Sequence, residues 1–108
     1  MISVRNAGKL NEKDIAAITR FVDNIQRIKN SYTQKQQALI DIAARELKNI
    51  LDCYNYLHSP SNQNAPISPA FNDRRLDTLR KTLIAIQDEI QVLKEKATAI
   101  LAISNKLK

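Results

Sequence analysis

Cys53 and His58 are the two side chains whose types suit nucleophilic catalysis or metal binding, and each is the only residue of its kind in the chain. A thiol–imidazole pair works when the two side chains lie within hydrogen-bond reach and a third group orients the imidazole. Residues five apart on a helix point about 140° away from each other, so this pair fails that requirement. One cysteine and one histidine are also too few for a structural zinc site. We expect Cys53 to be a small core residue and His58 to lie at a helix C-terminus, where a positive charge is favourable.

The acidic residues offer no arrangement for general acid–base catalysis. Asp88 and Glu89 are adjacent, so their side chains diverge on a helix, and Asp41, Glu46 and Asp52 are spread around another helix. The Glu-x-x-His motifs of a di-iron bundle are absent, and a single glycine in 108 residues excludes glycine-rich phosphate-binding loops. The sequence therefore predicts a protein that is not an enzyme and holds no cofactor.

The composition is that of one small helical domain. The 108 residues are 44% hydrophobic and 26% charged, which is close to the average for globular proteins and argues against wholesale disorder. With one glycine, no tryptophan and two phenylalanines there is little material for a β-sheet. No apolar run approaches the roughly 20 residues that a membrane span needs, and no signal-peptide pattern follows Met1. We expect a cytoplasmic protein with no transmembrane segment, although a protein exported without a signal would have the same features.

Hydrophobic periodicity predicts an all-α fold of three helices, because apolar residues recur every three or four positions along most of the chain. The predicted segments are helix 12–30, helix 34–57, a Pro/Ser/Asn-rich loop 59–72 and helix 73–107. A capping-box pattern at Ser31 and Gln34 favours a break near residues 30–33, and one continuous bent helix is the alternative because no glycine or proline enforces the break. The predicted architecture is an antiparallel bundle of three helices, or a long helical hairpin.

The C-terminal predicted helix has the most regular pattern in the chain. It lacks glycine and proline, and its 3-4 alternation of apolar residues persists over more than four heptads, as in a coiled-coil seam. At 1.5 Å per residue it would be about 52 Å long and would extend roughly ten residues beyond its partners. Its apolar end would then need a second chain, unless that end folds back or frays. The predicted interface residues are Leu93, Ile100, Leu101, Ile103 and Leu107.

Basic residues suggest a different kind of partner, since the formal net charge is +6. Lys13, Arg20 and Arg27 are spaced by seven and would line one ridge of the first helix. Four more cluster at the start of the last helix: Arg74, Arg75, Arg80 and Lys81. Such ridges can contact the phosphates of nucleic acid or an anionic membrane, or they can bind an acidic protein partner. However, no helix-turn-helix spacing, RNA-binding aromatic motif or zinc finger accompanies them, and the interspersed acidic residues are typical of a solvated bundle surface.

The favoured function is a non-enzymatic interaction or adaptor module that self-associates or docks a partner helix into its apolar seam. Its expected partner is a second copy, forming a homodimer, or another helical protein. The alternative is a basic nucleic-acid-binding helical bundle that uses the seven basic residues named above.

Overall fold

The computed structural model describes residues 4–58 and 70–108, which are almost entirely helical and contain no strand. The four α-helices are α1 (Glu12–Ile28), α2 (Gln34–His58), α3 (Asp73–Glu89) and α4 (Lys94–Ser104). Short 3-10 helices lie at Val4–Lys9, Lys29–Ser31, Gln91–Leu93 and Asn105–Leu107. The predicted all-α class is confirmed, whereas most of the predicted loop 59–72 lies outside the described residues. Within the described ranges, no helix combines the length and apolar character that crossing a membrane requires.

The four helices pack in an up-down-up-down arrangement. Each helix packs on the next in sequence, and α4 closes the bundle by packing on α1. Gln36 at the start of α2 donates its side-chain N–H to the carbonyl oxygen of Glu89 at the end of α3, at 3.0 Å, so these two helices are antiparallel. Lys106, just beyond α4, pairs with Asp14 at the start of α1 at 2.7 Å, so α4 and α1 are antiparallel too. In this arrangement α1 and α3 lie diagonally across the bundle.

Local capping explains where α1 and α2 begin. The Asn11 side chain accepts from the backbone N–H of Asp14 at 2.9 Å, and the Asp14 carboxylate accepts from the backbone N–H of Asn11 at 3.1 Å. This reciprocal pair is a capping box. A second reciprocal pair joins Thr33 and Gln36, at 3.2 and 3.1 Å. The predicted box that starts at Ser31 is therefore wrong: Ser31 still belongs to a 3-10 helix, and α2 is capped two residues later.

The chain does not continue as one helix from 73 to 107, which corrects the predicted three-helix architecture. It leaves helical geometry at Ile90, with φ −125° and ψ 88°, and α4 then returns along α3. Gln87 of α3 donates to the hydroxyl of Thr98 in α4 at 2.7 Å, which ties the two antiparallel helices together. The expected long coiled-coil-like helix is instead a helical hairpin.

Burial within one chain accounts for this fold-back. Leu93, Ile100 and Leu107 are all at most 3% exposed because α4 and the following 3-10 helix pack against the rest of the bundle. Burying a large apolar side chain contributes about 1.5–3 kcal/mol. Each helical hydrogen bond lost at the turn contributes only about 0.5–1.5 kcal/mol. The apolar end that a straight helix would leave exposed is thus covered without a second chain.

The N-terminal 3-10 helix compensates for the greater length of α2. With 25 residues, α2 is about 38 Å long, whereas α1 and α3 each have 17 residues. Ala7 and Leu10 are buried and extend the core past the start of α1. Gly8 packs close to Leu57 near the end of α2, since a Cβ atom at Gly8 would lie 3.5 Å from the Leu57 Cδ1 atom.

Candidate protein-binding groove

The structure places the predicted interface residues partly in the core of the single chain. Leu93, Ile100 and Leu107 are buried, and Leu101 and Ile103 are half-buried against the same core. The expected overhang of the last helix, which was the reason for predicting a dimer interface there, is absent. Most of this apolar surface is therefore used to close the bundle.

A groove runs along the seam between α1 and α4, which pack more sparsely than the other neighbouring helices. It encloses about 380 Å³ and opens to solvent along one side. Its lining residues are Ala17, Arg20 and Phe21 from α1, and Lys96, Ala99 and Ile100 from α4. The alanine side chains at positions 17 and 99 are too short to fill the space between the helices, so the seam stays open over an apolar floor.

The groove continues into a more polar depression toward the C-terminus of α1. This second cavity encloses about 480 Å³ and is lined by Arg20, Asp23, Asn24, Arg27 and Lys96. Among the described residues, the lining thus holds three cationic side chains and one carboxylate. Within the part of the chain that the structure describes, none of the three cations takes part in an ion pair. The groove therefore combines an apolar floor with a positively charged rim.

An ion pair closes the opposite end of the seam. The Asp14 carboxylate, in the first turn of α1, accepts from the Lys106 ammonium group at 2.7 Å. Burial alone would raise the pKa of Asp14. The hydrogen bond from Lys106, the hydrogen bond from the backbone N–H of Asn11 and the positive charge of Lys106 together outweigh burial, so the pKa of Asp14 is lowered. The side chain of Asn6 also donates to the carbonyl oxygen of Leu107 at 3.1 Å. The C-terminal end of the hairpin is thereby fixed against the start of α1, and the two walls of the groove hold their spacing.

Arg75, one of the predicted nucleic-acid-binding residues, has a structural partner. Its guanidinium Nε lies 2.8 Å from a carboxylate oxygen of Glu46, whose side chain is buried in α2. It also donates to the carbonyl oxygen of Ala70 at 2.8 Å. Arg45 also pairs with Glu46, at 3.0 Å, so two arginines share this buried carboxylate. Arg75 is the one that joins the start of α3 to α2, and it would lose this ion pair on turning toward a phosphate.

The remaining predicted basic residues lie on two separate helices. Lys13, Arg20 and Arg27 are exposed on α1, whereas Arg74, Arg80 and Lys81 are fully or partly exposed on α3. Since α1 and α3 are diagonal in the bundle, the structure does not bring the two groups onto one surface. It brings Arg20 and Arg27 together with Lys96 instead, a residue that the spacing within one helix did not single out.

Cys53 and His58 lie where structural roles are expected. Cys53 is fully buried, and burial together with the nearby charge of Asp52 raises the pKa of its thiol, although Arg75 lowers it in part. A thiol with a raised pKa carries little of the nucleophilic thiolate at neutral pH. The His58 ring stacks on Tyr54 with ring centroids 4.3 Å apart. Among the described residues, no group of three or more His, Cys, Asp and Glu side chains converges as metal ligands.

Comparison of the chain with protein family models, with curated proteins and with solved structures gives no significant match. No activity or partner of another protein therefore bears on this one. The functional interpretation follows from the geometry and charge of the α1–α4 groove.

Proposed function

We propose that the protein is a non-catalytic interaction module that binds a helical segment of another protein in the α1–α4 groove. The observation that carries this proposal is the open apolar seam between α1 and α4, the two neighbouring helices that pack most sparsely. Docking of the apolar face of an amphipathic helix into a hydrophobic groove is a recurring mode of protein recognition. The apolar part of the groove follows α1 from Ala17 to Phe21, about one helical turn, and its polar continuation reaches Arg27, so the whole depression is about 15 Å long.

A partner helix is better supported than self-association through the end of the last helix. Self-association was predicted from Leu93, Ile100, Leu101, Ile103 and Leu107. In one chain Leu93, Ile100 and Leu107 are buried in the core, and Leu101 and Ile103 are half-buried against it. A partner helix needs only the surface that the bundle leaves open. The proposal therefore expects a solution mass of 12.3 kDa for the isolated protein, measurable by light scattering coupled to gel filtration.

The experiment that tests the proposal is an NMR titration of the isotope-labelled full chain with a designed peptide. The peptide has about 18 residues, a leucine stripe at helical spacing and a polar face of glutamine and serine, so that it carries no charge. We expect chemical-shift changes concentrated at Ala17, Phe21, Ala99 and Ile100. Changes spread evenly over all four helices would overturn the proposal.

A substitution that fills the groove, compared with the same substitution elsewhere, shows whether the peptide binds there. Ala17→Leu adds three carbon atoms to the floor of the groove and should weaken peptide binding at least about tenfold, since an occupied pocket loses its complementarity to a leucine stripe. Ala38→Leu makes the same chemical change at an exposed site on α2 and should leave binding unchanged. Equal binding by the two variants would show that the peptide docks elsewhere.

Nucleic-acid binding is the alternative proposal, and the placement of the basic residues supports it less well. The basic residues predicted to bind nucleic acid lie in two groups, on α1 and on α3, which are diagonal in the bundle. One of them, Arg75, pairs with Glu46 at 2.8 Å. It predicts an affinity for a single-stranded oligonucleotide that falls steeply with salt, with a slope that reflects several phosphate contacts. Fluorescence anisotropy at about 50 mM salt tests this, and no detectable binding there would exclude the alternative.

A further inference from the structure

We infer that the groove selects an acidic partner, namely an amphipathic helix whose apolar stripe is flanked by Asp or Glu on both sides. This inference rests on the proposed function and adds the chemistry of the partner to it. Its basis is the placement, on both walls of one apolar groove, of cations that have no ion-pair partner among residues 4–58 and 70–108.

The two walls contribute separate positive charges. Arg20 stands on α1 and Lys96 on α4, and both line the apolar part of the groove as well as its polar continuation. Arg27 extends the positive rim along α1, and among the described residues Asp23 is the one acidic residue that lines either part. A helix that lays its apolar stripe on the floor presents one flank to each wall. Carboxylates on those flanks would meet Arg20 on one side and Lys96 on the other.

Charge complementarity favours this occupant over a second copy of the chain. The protein carries a formal net charge of +6, so that two copies repel each other before any groove contact forms. A carboxylate accepts two parallel hydrogen bonds from a guanidinium group and carries the opposite charge. A neutral glutamine side chain on the partner helix cannot form this charged pair. A nucleic acid supplies anions as well, but its backbone has no apolar stripe for the floor formed by Ala17, Phe21, Ala99 and Ile100.

Three peptides that differ only in their flanking residues test the inference on the whole chain by isothermal titration calorimetry. All three share the same leucine stripe, and their flanks are Glu, Gln or Lys. At low salt we expect the Glu peptide to bind about tenfold more tightly than the Gln peptide, and the Lys peptide more weakly than both, because each exposed charge pair contributes modestly. The preference should shrink as added salt screens these pairs.

Charge reversal on the two walls should reverse the preference. The double variant Arg20→Glu with Lys96→Glu should bind the Lys peptide more tightly than the Glu peptide. The control Lys48→Glu with Lys81→Glu changes the net charge equally at exposed sites on α2 and α3, and it should keep the original order. Should the reversal variant lose its helical circular dichroism, Arg20→Gln with Lys96→Gln replaces it and should reduce the difference between the Glu and Gln peptides to the contribution of Arg27.

The outcomes separate the inference from the proposed function. Equal affinity for the Glu and Gln peptides would overturn the acidic partner and leave the groove as a binding site for neutral helices. No binding of any peptide would overturn both. If a single-stranded oligonucleotide of about 20 nucleotides displaces the Glu peptide and depends equally on Arg20 and Lys96, the groove is a phosphate-binding site and the acidic-helix inference fails.

Discussion

Replacing Leu107 by alanine tests whether the C-terminal hairpin completes the core of its own chain. Leu107 is fully buried, and its carbonyl oxygen accepts a hydrogen bond from Asn6 at 3.1 Å. The substitution removes three carbon atoms, which at about 0.8 kcal/mol each amounts to roughly 2.4 kcal/mol of lost burial. The cavity left behind adds to this cost, although the short terminal 3-10 helix can relax in part. We expect the free energy of unfolding to fall by about 2–3 kcal/mol, at the lower end of the range for buried leucines.

The assay is urea unfolding followed by far-ultraviolet circular dichroism, with Val92→Ala as control. Val92 lies in the turn before α4 and is 71% exposed, so its truncation should change the free energy of unfolding by less than about 0.5 kcal/mol. Leu107→Ala should lower the urea midpoint by roughly 1–3 M for a chain of this size. The reasoning is refuted if Leu107→Ala costs no more than Val92→Ala. It is equally refuted if Leu107→Ala halves the mass in solution, because Leu107 would then contact a second chain.

Three further substitutions or reactions test the buried polar groups. Asp14→Asn should lower the free energy of unfolding by about 1 kcal/mol at neutral pH. The folded-state pKa of Asp14 lies below its usual 3.8. The wild type should therefore lose its extra stability over Asp14→Asn as the pH falls through that lowered pKa. If the two proteins still differ by the same free energy of unfolding in acid, the ion pair between Asp14 and Lys106 is not the source of that stability. Glu46→Ala should cost about 2 kcal/mol, less than a fully buried pair because the Arg75 side chain is 29% exposed and can rehydrate; exposed Glu95→Ala is the control for this urea titration. Cys53 should react with a thiol reagent at least about a hundredfold more slowly in the native than in the denatured protein, and equal rates would disprove its burial.

Helical periodicity identifies the buried side chains of this protein better than it identifies the path of the backbone. Ile86, Ile90, Leu93 and Ala97 keep the 3-4 spacing and are all buried, yet the chain turns between the second and the third. The pattern therefore records which residues face the core and not whether a helix continues between them. Isoleucine is β-branched and adopts extended geometry at no special cost, so Ile90 can form the turn itself. The turn therefore needs no glycine or proline. A local signal for the turn is thus missing from the sequence.

The groove could be predicted only in part for the same reason. Arg20 and Arg27 share a ridge because their spacing lies within one helix, whereas Lys96 joins them only after α4 has folded back onto α1. The structural role of Arg75 did have a partial signal in the sequence. Glu46 lies next to Leu47 on the buried face of α2, and a carboxylate in that position requires a cationic partner. The structure supplies two such partners, Arg45 and Arg75, so the sequence indicates that a basic residue pairs with Glu46 but does not single out Arg75.

The turn at residues 90–93 also bears on domain swapping. If Ile90 adopted helical geometry, α3 and α4 would join into one rod, and α4 of one copy would take the place in a second copy that it holds in its own bundle. The exchanged dimer and the bundle within one chain would bury the same side chains. They would therefore differ mainly in the conformation of the turn and in the entropy lost on association. Ile90→Ala favours the straight helix, and at high protein concentration it should shift mass from the monomer to an exchanged dimer. On this reasoning the conformation of residue 90 would decide between a monomeric bundle and an intertwined dimer.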